Sequence, residues 1–590
     1  MKFRFKLLIL LCFFAINSNA QKVGLVLSGG GMRGFAHIGV IRALEENNIP
    51  IDYVTGTSSG AFVGALYASG YSPDEMEALV TSAAFKRRVQ GKFDEQNLYY
   101  FKKNPSDASW VNIKFLVDSV LRTQLPSNLV NPAEIDFALT EYLAPPAALA
   151  GYQFDSLMVP FRCVSTDITS KKSVIFGNGD LAMAVRASMA FPFYFSPVLM
   201  NDKILYDGGI YNNFPVDVMM QVFKPDVVIG SNAAGLPDVP MEGNFLTQLK
   251  TMITQTTVYQ VPTPNDFLIE PDIKFIGSFD FDRIKAAIDS GYISTLKQID
   301  SIKSVVSNQI TAGDLKQKRE RFRESLMPVT VDQIYIHGVT EKQAWFVRHV
   351  LNPTNSCISF AELRKAYFKL AADDNFRYMF PHLLFNPQTN NYDLHLDVKQ
   401  DNALSVDFGG NFSSRPINTG FVGVQRNLLS RHSYKLFANL YFGKLYSSIH
   451  GRMRLDIPAR VPFYIEPSVT LNQWDFYKSS SAFFEDVKPS FLIQNDASYN
   501  VATGIPVRNK GKAVVEVNRF NVKNEYYQTR NFSQSDTADV TRFDGESISI
   551  FFERNTLNRK MYADEGSFFN ARVQFIYGVE RTRSEERRVG

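Results

Sequence analysis

Two periodicities divide the chain. Over residues 23–229, short apolar runs alternate with stretches whose apolar residues recur every three or four positions. Residues 23–27 form an apolar run that closes on glycines, and residues 35–48 carry Ile38, Val40, Ile41 and Leu44 on one helical face. Residues 51–54 predict a second strand, 61–68 a second helix, and 158–164 and 227–229 further buried strands. This alternation predicts a mostly parallel sheet covered on both faces, a three-layer α/β domain over residues 21–238. Residues 239–328 are polar and read as a helical extension and linker, with the charge-rich stretch 316–324 as a solvated helix face.

A small α+β unit is expected over residues 329–398: a strand at 331–336, helices at 341–350 and 360–371, then strands near Leu383 and over 393–398. From Ala403 the period becomes two. Leu404, Val406 and Phe408 alternate with their neighbours, as do Leu436, Ala438, Leu440 and Phe442, and Val515 and Val517 against Glu516 and Asn518. Turn clusters at 411–414 and 508–511 separate such runs. Strands of about ten residues rich in Phe and Tyr predict an antiparallel transmembrane β-barrel over residues 399–582; by pattern alone a soluble all-β domain is the alternative.

The N-terminus and composition add a setting. Lys2, Arg4 and Lys6 precede an apolar run at 7–16 and small or polar residues at 17–20, so residues 1–20 read as a secretory signal peptide. That run is about half of the roughly 20 residues a spanning helix needs. No other run of 18 apolar residues occurs, so any passage through a membrane is by strands. With 49 Phe and 26 Tyr the chain is rich in aromatics, which suits a barrel. A net charge of +4 over 590 residues gives no reason to expect nucleic acid. Beyond the signal peptide only Cys163 and Cys357 remain; they fall in different expected domains without metal-ligand spacing, so neither a disulfide nor a metal site is expected.

The chemistry concentrates early. Ser28, Gly29, Gly30, Gly31, Met32, Arg33 and Gly34 join a strand to a helix, where converging amides and the helix terminus suit a phosphate or an oxyanion. The spacing of Gly29, Gly31 and Gly34 also fits a dinucleotide fingerprint, with Asp52 as the ribose-binding acid. Gly56, Thr57, Ser58, Ser59 and Gly60 argue against that reading. They stand between a strand and a helix as a nucleophile elbow requires, since flanking glycines let the turn lift the serine oxygen clear. A secreted enzyme also has little access to nicotinamide cofactors, and no cofactor is expected.

A serine needs a base. Residues 21–238 hold one histidine, His37, on the helix after the glycine loop, where a structural role is expected. The base is therefore a carboxylate or a lysine, and Asp207, followed by Gly208 and Gly209, is the best candidate; Asp-Gly also fits a hairpin turn.

The segment 27–34, the elbow 56–60 and Asp207 with its two glycines resemble, in order, the motifs of patatin-like phospholipases, and 186–192 with 195–197 resemble the segment before that family's aspartate. The resemblance covers about residues 23–230. It implies a Ser-Asp dyad in which Ser58 attacks the ester carbonyl, Asp207 is its base, and the Gly29, Gly30 and Gly31 amides form the oxyanion hole. Arg33 matches a basic position of the motif and is expected to anchor the loop rather than to contact lipid phosphate. Residues 329–398 resemble a POTRA domain, and the strands after 403, with 556–559 and 562–566 as a recurring hairpin, resemble the surface-antigen type of outer-membrane barrel. That order is the layout of type V secretion phospholipases. It implies an acyl hydrolase acting on phospholipid or lysophospholipid, tethered to the outer membrane, with the barrel-assembly machinery as a candidate partner and its enzyme domain in the periplasm or at the cell surface. The competing class is a transport or assembly protein with an inert enzyme-like domain. Such barrels have 16 strands, and the residues after 402 accommodate about half of them. Residues 583–590 read as a non-native tail, and the remaining strands are expected beyond the sequence given.

Overall fold

The computed structural model describes residues 21–116, 122–124, 129–234, 248, 251–252, 255, 257–401, 403–412, 418–476, 492–527, 537–558 and 562–583. The expected signal peptide, the first residues of the 239–328 extension, Arg559 and residues 584–590 of the tail lie outside the described residues. The chain divides into two compact units: Met1–Asp94 with Ser127–Val329 and Pro381–Tyr392, and Glu95–Pro126 with Thr330–Phe380 and Asp393–Gly590.

The first unit is built on an eight-stranded sheet. Its order is Phe267–Ile269, Val227–Ser231, Val23–Leu27, Tyr53–Thr57, Phe161–Asp167, Lys203–Asp207 and Val198–Met200, with Lys172–Phe176 also on Phe161–Asp167. The first five strands are parallel, as the alternation predicts, and the others antiparallel. Side chains alternate across a strand. Val26 packs with Phe214, Met219 and Val228 on one face. On the other, Leu27 and Val54 meet the helix Ser59–Ala68, where a Cβ on Gly64 would come 2.9 Å from Val54 Cγ1 and 3.5 Å from Leu27 Cδ1. Both faces are covered, and the layers are three.

The polar extension is only partly a solvated linker. Its helix Ile284–Leu296 buries Ile284, Ala287 and Ile288 and crosses Ala36–Glu46 in close contact. A Cβ on Gly39 would collide with Ile288 O, and one on Gly291 with Ala36 O, so glycine sets that approach. The charge-rich helix Ala312–Glu324 fits its expectation better, burying Leu315 alone.

Residues 330–400 fold in the expected order, with Thr330–His337, helices Glu341–Leu351 and Phe360–Ala371, and strands Phe376–Asn386 and Asn391–Gln400. A two-residue strand, Ile358–Ser359, completes a four-stranded sheet. Among the described residues nine strands follow, from Ala403–Asn411 to Phe568–Arg583, each antiparallel to the next. Leu440, Phe442, Ile449, Leu471, Val517, Ile548 and Ile550 are exposed on one face, whereas Lys435, Arg454, Asp456, Ser547 and Ser549 are buried on the other. A soluble sheet buries its apolar face; this one shows it.

Two parts of the chain depart from the sequence reading, and one is Pro381–Tyr392, expected in the small unit over residues 329–398 but grouped with the first unit. The other is residues 95–126, expected inside the α/β domain, which belong to the second unit. Ser109–Leu116 pairs antiparallel with Ala403–Asn411, and Arg122–Gln124 pairs with Ser109–Leu116, which makes the sheet eleven-stranded. Tyr99 and Phe101 join a core of Tyr464, Ala502 and Val514. Lys102 Nζ lies 2.7 Å from Asp373 and 3.0 Å from Asp456, and these carboxylates hold the buried ammonium well above its usual pKa despite the cost of burial. The sheet edges are Arg122–Gln124 and Phe568–Arg583, and no pairing among the described residues joins them. No helix among the described residues is long and apolar enough to cross a membrane.

Candidate active site

Ser58 stands between the strand Tyr53–Thr57 and the helix Ser59–Ala68, at φ 54° and ψ −121°. A side-chain-bearing residue rarely adopts this conformation, and holding it costs about 1–3 kcal/mol. The glycines on either side allow the turn to pack tightly. A Cβ on Gly56 would come 2.4 Å from Gly60 O, and one on Gly60 2.4 Å from Leu27 O. The raised Ser58 Oγ donates to Asp207 Oδ2 at 2.6 Å.

Asp207 ends the strand Lys203–Asp207, antiparallel to Phe161–Asp167, and is buried. Its Oδ1 accepts the Gly209 N–H at 2.8 Å, which leaves Oδ2 turned to the serine. A short 3-10 turn, Gly208–Ile210, follows, so this Asp-Gly pair is not a hairpin turn. A Cβ on Gly208 would come 2.2 Å from Val164 O, so glycine lets the carboxylate close on the elbow.

The glycine loop lies beside the serine: a Cβ on Gly29 would be 3.0 Å from Ser58 Cβ. Its three amides are not equivalent. Gly29 N–H donates to Asn213 O at 3.1 Å, a main-chain acceptor that cannot swing away. Gly30 N–H donates to Ser59 Oγ at 3.0 Å, a hydroxyl that can rotate off. Gly31 opens the turn Gly31–Phe35, whose first amide has no acceptor within the turn. Buried Arg33 donates to Ser278 Oγ at 2.6 Å, and Met32 N–H to Ser278 O at 3.0 Å, contacts suited to anchoring. Gly34 abuts Ser59 so closely that any Cβ would overlap its Oγ.

His37 bonds to the first residue of the glycine loop and to a neighbouring strand, not to Ser58 Oγ or Asp207. One ring nitrogen lies 2.8 Å from Ser28 O and the other 2.7 Å from Ser231 Oγ, tying the loop to the neighbouring strand. Since Ser28 O only accepts, Nε2 carries the proton and Nδ1 accepts from the serine. Burial pushes its pKa down to about 4, so it is neutral near pH 7. Asp52, the acid the dinucleotide reading needs, pairs instead with Lys22 at 2.8 Å.

The roles of three residues at the site are not legible in the sequence. Ser188 Oγ accepts the Ser58 N–H at 2.9 Å and donates to Val164 O at 2.5 Å. Ser59 faces the Gly30 amide, and Asn213 Nδ2 donates to Gly29 O and to Tyr259 Oη. Only the resemblance of 186–192 to a family motif pointed toward Ser188.

Residues 25–220 match the family model described as patatin-like phospholipase. This is a patatin-like phospholipase domain. Lysophospholipase NTE1 of Kluyveromyces lactis is 26% identical over 302 residues, covering 46% of this chain and 19% of that protein. Patatin-like phospholipase domain-containing protein 6 of Homo sapiens is 34% identical over 209 residues, 35% of this chain and 13% of that protein. The chain thus spans a fifth or less of the length of these curated relatives. Among solved structures, BamA from Haemophilus ducreyi lacking POTRA domains 1–3 aligns at a TM-score of 0.33 and 14% identity, over 42% of this chain and 48% of that one. Within the patatin-like domain, residues the sequence singled out converge: Ser58 bonds to Asp207, the glycine loop lies beside Ser58, and Arg33 donates to Ser278 Oγ.

Proposed function

We propose that the patatin-like domain is a serine lipid-acyl hydrolase of phospholipase A or lysophospholipase type, working through a Ser58–Asp207 dyad. The observation that carries this reading is the 2.6 Å bond from Ser58 Oγ to Asp207 Oδ2, made from a strained elbow. Ser58 Oγ adds to the ester carbonyl as its proton passes to Asp207. The tetrahedral oxyanion is held by glycine-loop amides, foremost Gly31 and, once Ser59 rotates, Gly30. Losing one such donor costs about 2.7–4 kcal/mol of transition-state stabilisation. Collapse breaks the ester C–O bond, Asp207 returns the proton to the leaving alcohol, and the acyl group stays on Ser58. Water, deprotonated by Asp207, then adds to the acyl carbonyl; the bond to Ser58 Oγ breaks, Asp207 returns the proton to that oxygen, and the fatty acid leaves.

The second unit fits an outer-membrane setting. Its exposed apolar and buried polar alternation suits a transmembrane barrel wall, and the order of elements over 330–400 suits a POTRA-like domain. The enzyme is then tethered to the outer membrane, in the periplasm or at the surface, with phospholipid or lysophospholipid at hand. Fatty-acid release from phosphatidylcholine and lysophosphatidylcholine vesicles tests the enzyme reading. We expect release by the wild-type chain and loss in Ser58→Ala and Asp207→Asn. Equal release by all three overturns the dyad, and no release by any favours an inert domain in a transport or assembly protein.

A further inference from the structure

The motif at 186–192 has no place in the reaction so far, yet it touches both members of the dyad. The helix Leu181–Ser188 is capped by Asp180, whose side chain accepts the Met183 N–H. It is fixed near its other end by fully buried Arg186, whose Nε donates to Asp136 Oδ1 at 2.5 Å and whose Nη2 donates to Ser196 O at 3.2 Å. From this anchored end two contacts reach out. Ser188, with no exposure to solvent, takes the Ser58 N–H on its Oγ and gives its own proton to Val164 O. Two residues on, Ala190 O accepts the Asp207 N–H at 3.0 Å.

We propose that Ser188 is a positioning residue for the reaction, and that the turn Ser188, Met189, Ala190 sets the distance between nucleophile and base. The inference rests on the Ser58–Asp207 reading. Its physical basis is the state of the Ser58 amide. At the elbow's positive φ, that N–H has no partner in the strand Tyr53–Thr57 or the helix Ser59–Ala68, and an unpaired buried amide is costly. Ser188 Oγ satisfies it only in this conformation, so the bond favours the strained turn over a relaxed one. Val164 fixes the rotamer of Ser188, because a hydroxyl that donates its proton there must offer a lone pair to Ser58. Val164 O also abuts Gly208, which follows the base. The same few atoms therefore hold the main chain at Ser58 and at Asp207. A further consequence is that the Ser58 amide is occupied and is not an oxyanion donor.

The test uses the full chain with four variants: Ser188→Ala, Ser188→Thr (which keeps the oxygen), Ser58→Ala and Asp207→Asn. Steady-state lipid hydrolysis, hydrogen exchange of the peptide spanning residues 56–60 and thermal melting are read on each. Ser188→Ala is expected to lower kcat about 10- to 100-fold with KM within about twofold, the scale on which a small misplacement acts. Exchange at the elbow should quicken while melting stays within a few degrees, and Ser188→Thr should recover most of kcat and of the protection. Undiminished kcat in Ser188→Ala, or elbow exchange equal to wild type, overturns the positioning role. Equal kcat losses in Ala and Thr at unchanged melting also overturn it. A failure of the dyad reading appears elsewhere, as activity surviving in Ser58→Ala; elbow exchange would then still decide whether Ser188 holds the turn.

Discussion

At Ser58 the backbone is strained for a purpose, and the strain has a measurable cost. Glycine adopts φ 54°, ψ −121° without penalty. Ser58→Gly is therefore expected to be inactive yet more stable than Ser58→Ala by about 1 kcal/mol, read by chemical denaturation. His37 gives a second prediction. Its pKa is about 4 in the folded chain, against 6.5 for a free side chain. The unfolded chain therefore takes up a proton before the folded one does. Stability linked to His37 is complete above about pH 6.5 and falls away between there and pH 4, by up to about 3 kcal/mol. Denaturation of the patatin-like domain across that range should steepen with acid, and His37→Gln should flatten the slope. Both residues stood out in the sequence, Ser58 by its flanking glycines and His37 as the one histidine of residues 21–238. Ser188 did not. Its partner lies 130 residues away, and no local pattern marks a serine for such a contact.

The elements fall into those that local periodicity revealed and those that depend on distant pairing. The strands Val23–Leu27 and Tyr53–Thr57 and the helix after each follow the apolar pattern closely, because each buries one stripe or one run. Ser109–Leu116 shows why pattern alone falls short. Trp110, Asn112 and Lys114 alternate with Val111, Ile113 and Phe115, yet nothing in those residues says that the partner is Ala403–Asn411, almost 300 positions on. The buried pair of Arg186 with Asp136 likewise joins helices 50 residues apart. Removing one partner leaves an uncompensated charge inside the core, so Arg186→Ala is expected to cost about 3–5 kcal/mol in the melting of this domain. In the large sheet the two faces differ in kind. Ile548→Lys, on the exposed apolar face, should cost about 2–4 kcal/mol of membrane insertion, whereas Ser547→Lys, on the buried polar face, should leave insertion largely intact. Heat-modified migration on gels, the readout of the proposed barrel, separates these outcomes, and equal behaviour would contradict the assignment of faces.

At the scale of the molecule, the chain runs out of its catalytic unit and back. It leaves after Asp94 to build two strands of the other unit, returns at Ser127, leaves again after Val329 and comes back once more for Pro381–Tyr392. Lys102 carries a largely buried charge of that excursion, between Asp373 and Asp456, a constellation drawn from three separate parts of the second unit. The excursion is not legible in the sequence, because about 30 residues change the hydrophobic period too briefly to mark a domain boundary. The central claim remains the chemistry of one serine set by one aspartate. Its most direct measurement is peptide mass spectrometry of the full chain after reaction with a fluorophosphonate, followed over time in wild type and Asp207→Asn. The account predicts a single adduct on Ser58, forming at least about 10²-fold more slowly without the Asp207 carboxylate. An adduct on another residue, or one forming on Ser58 equally fast in both, would contradict it.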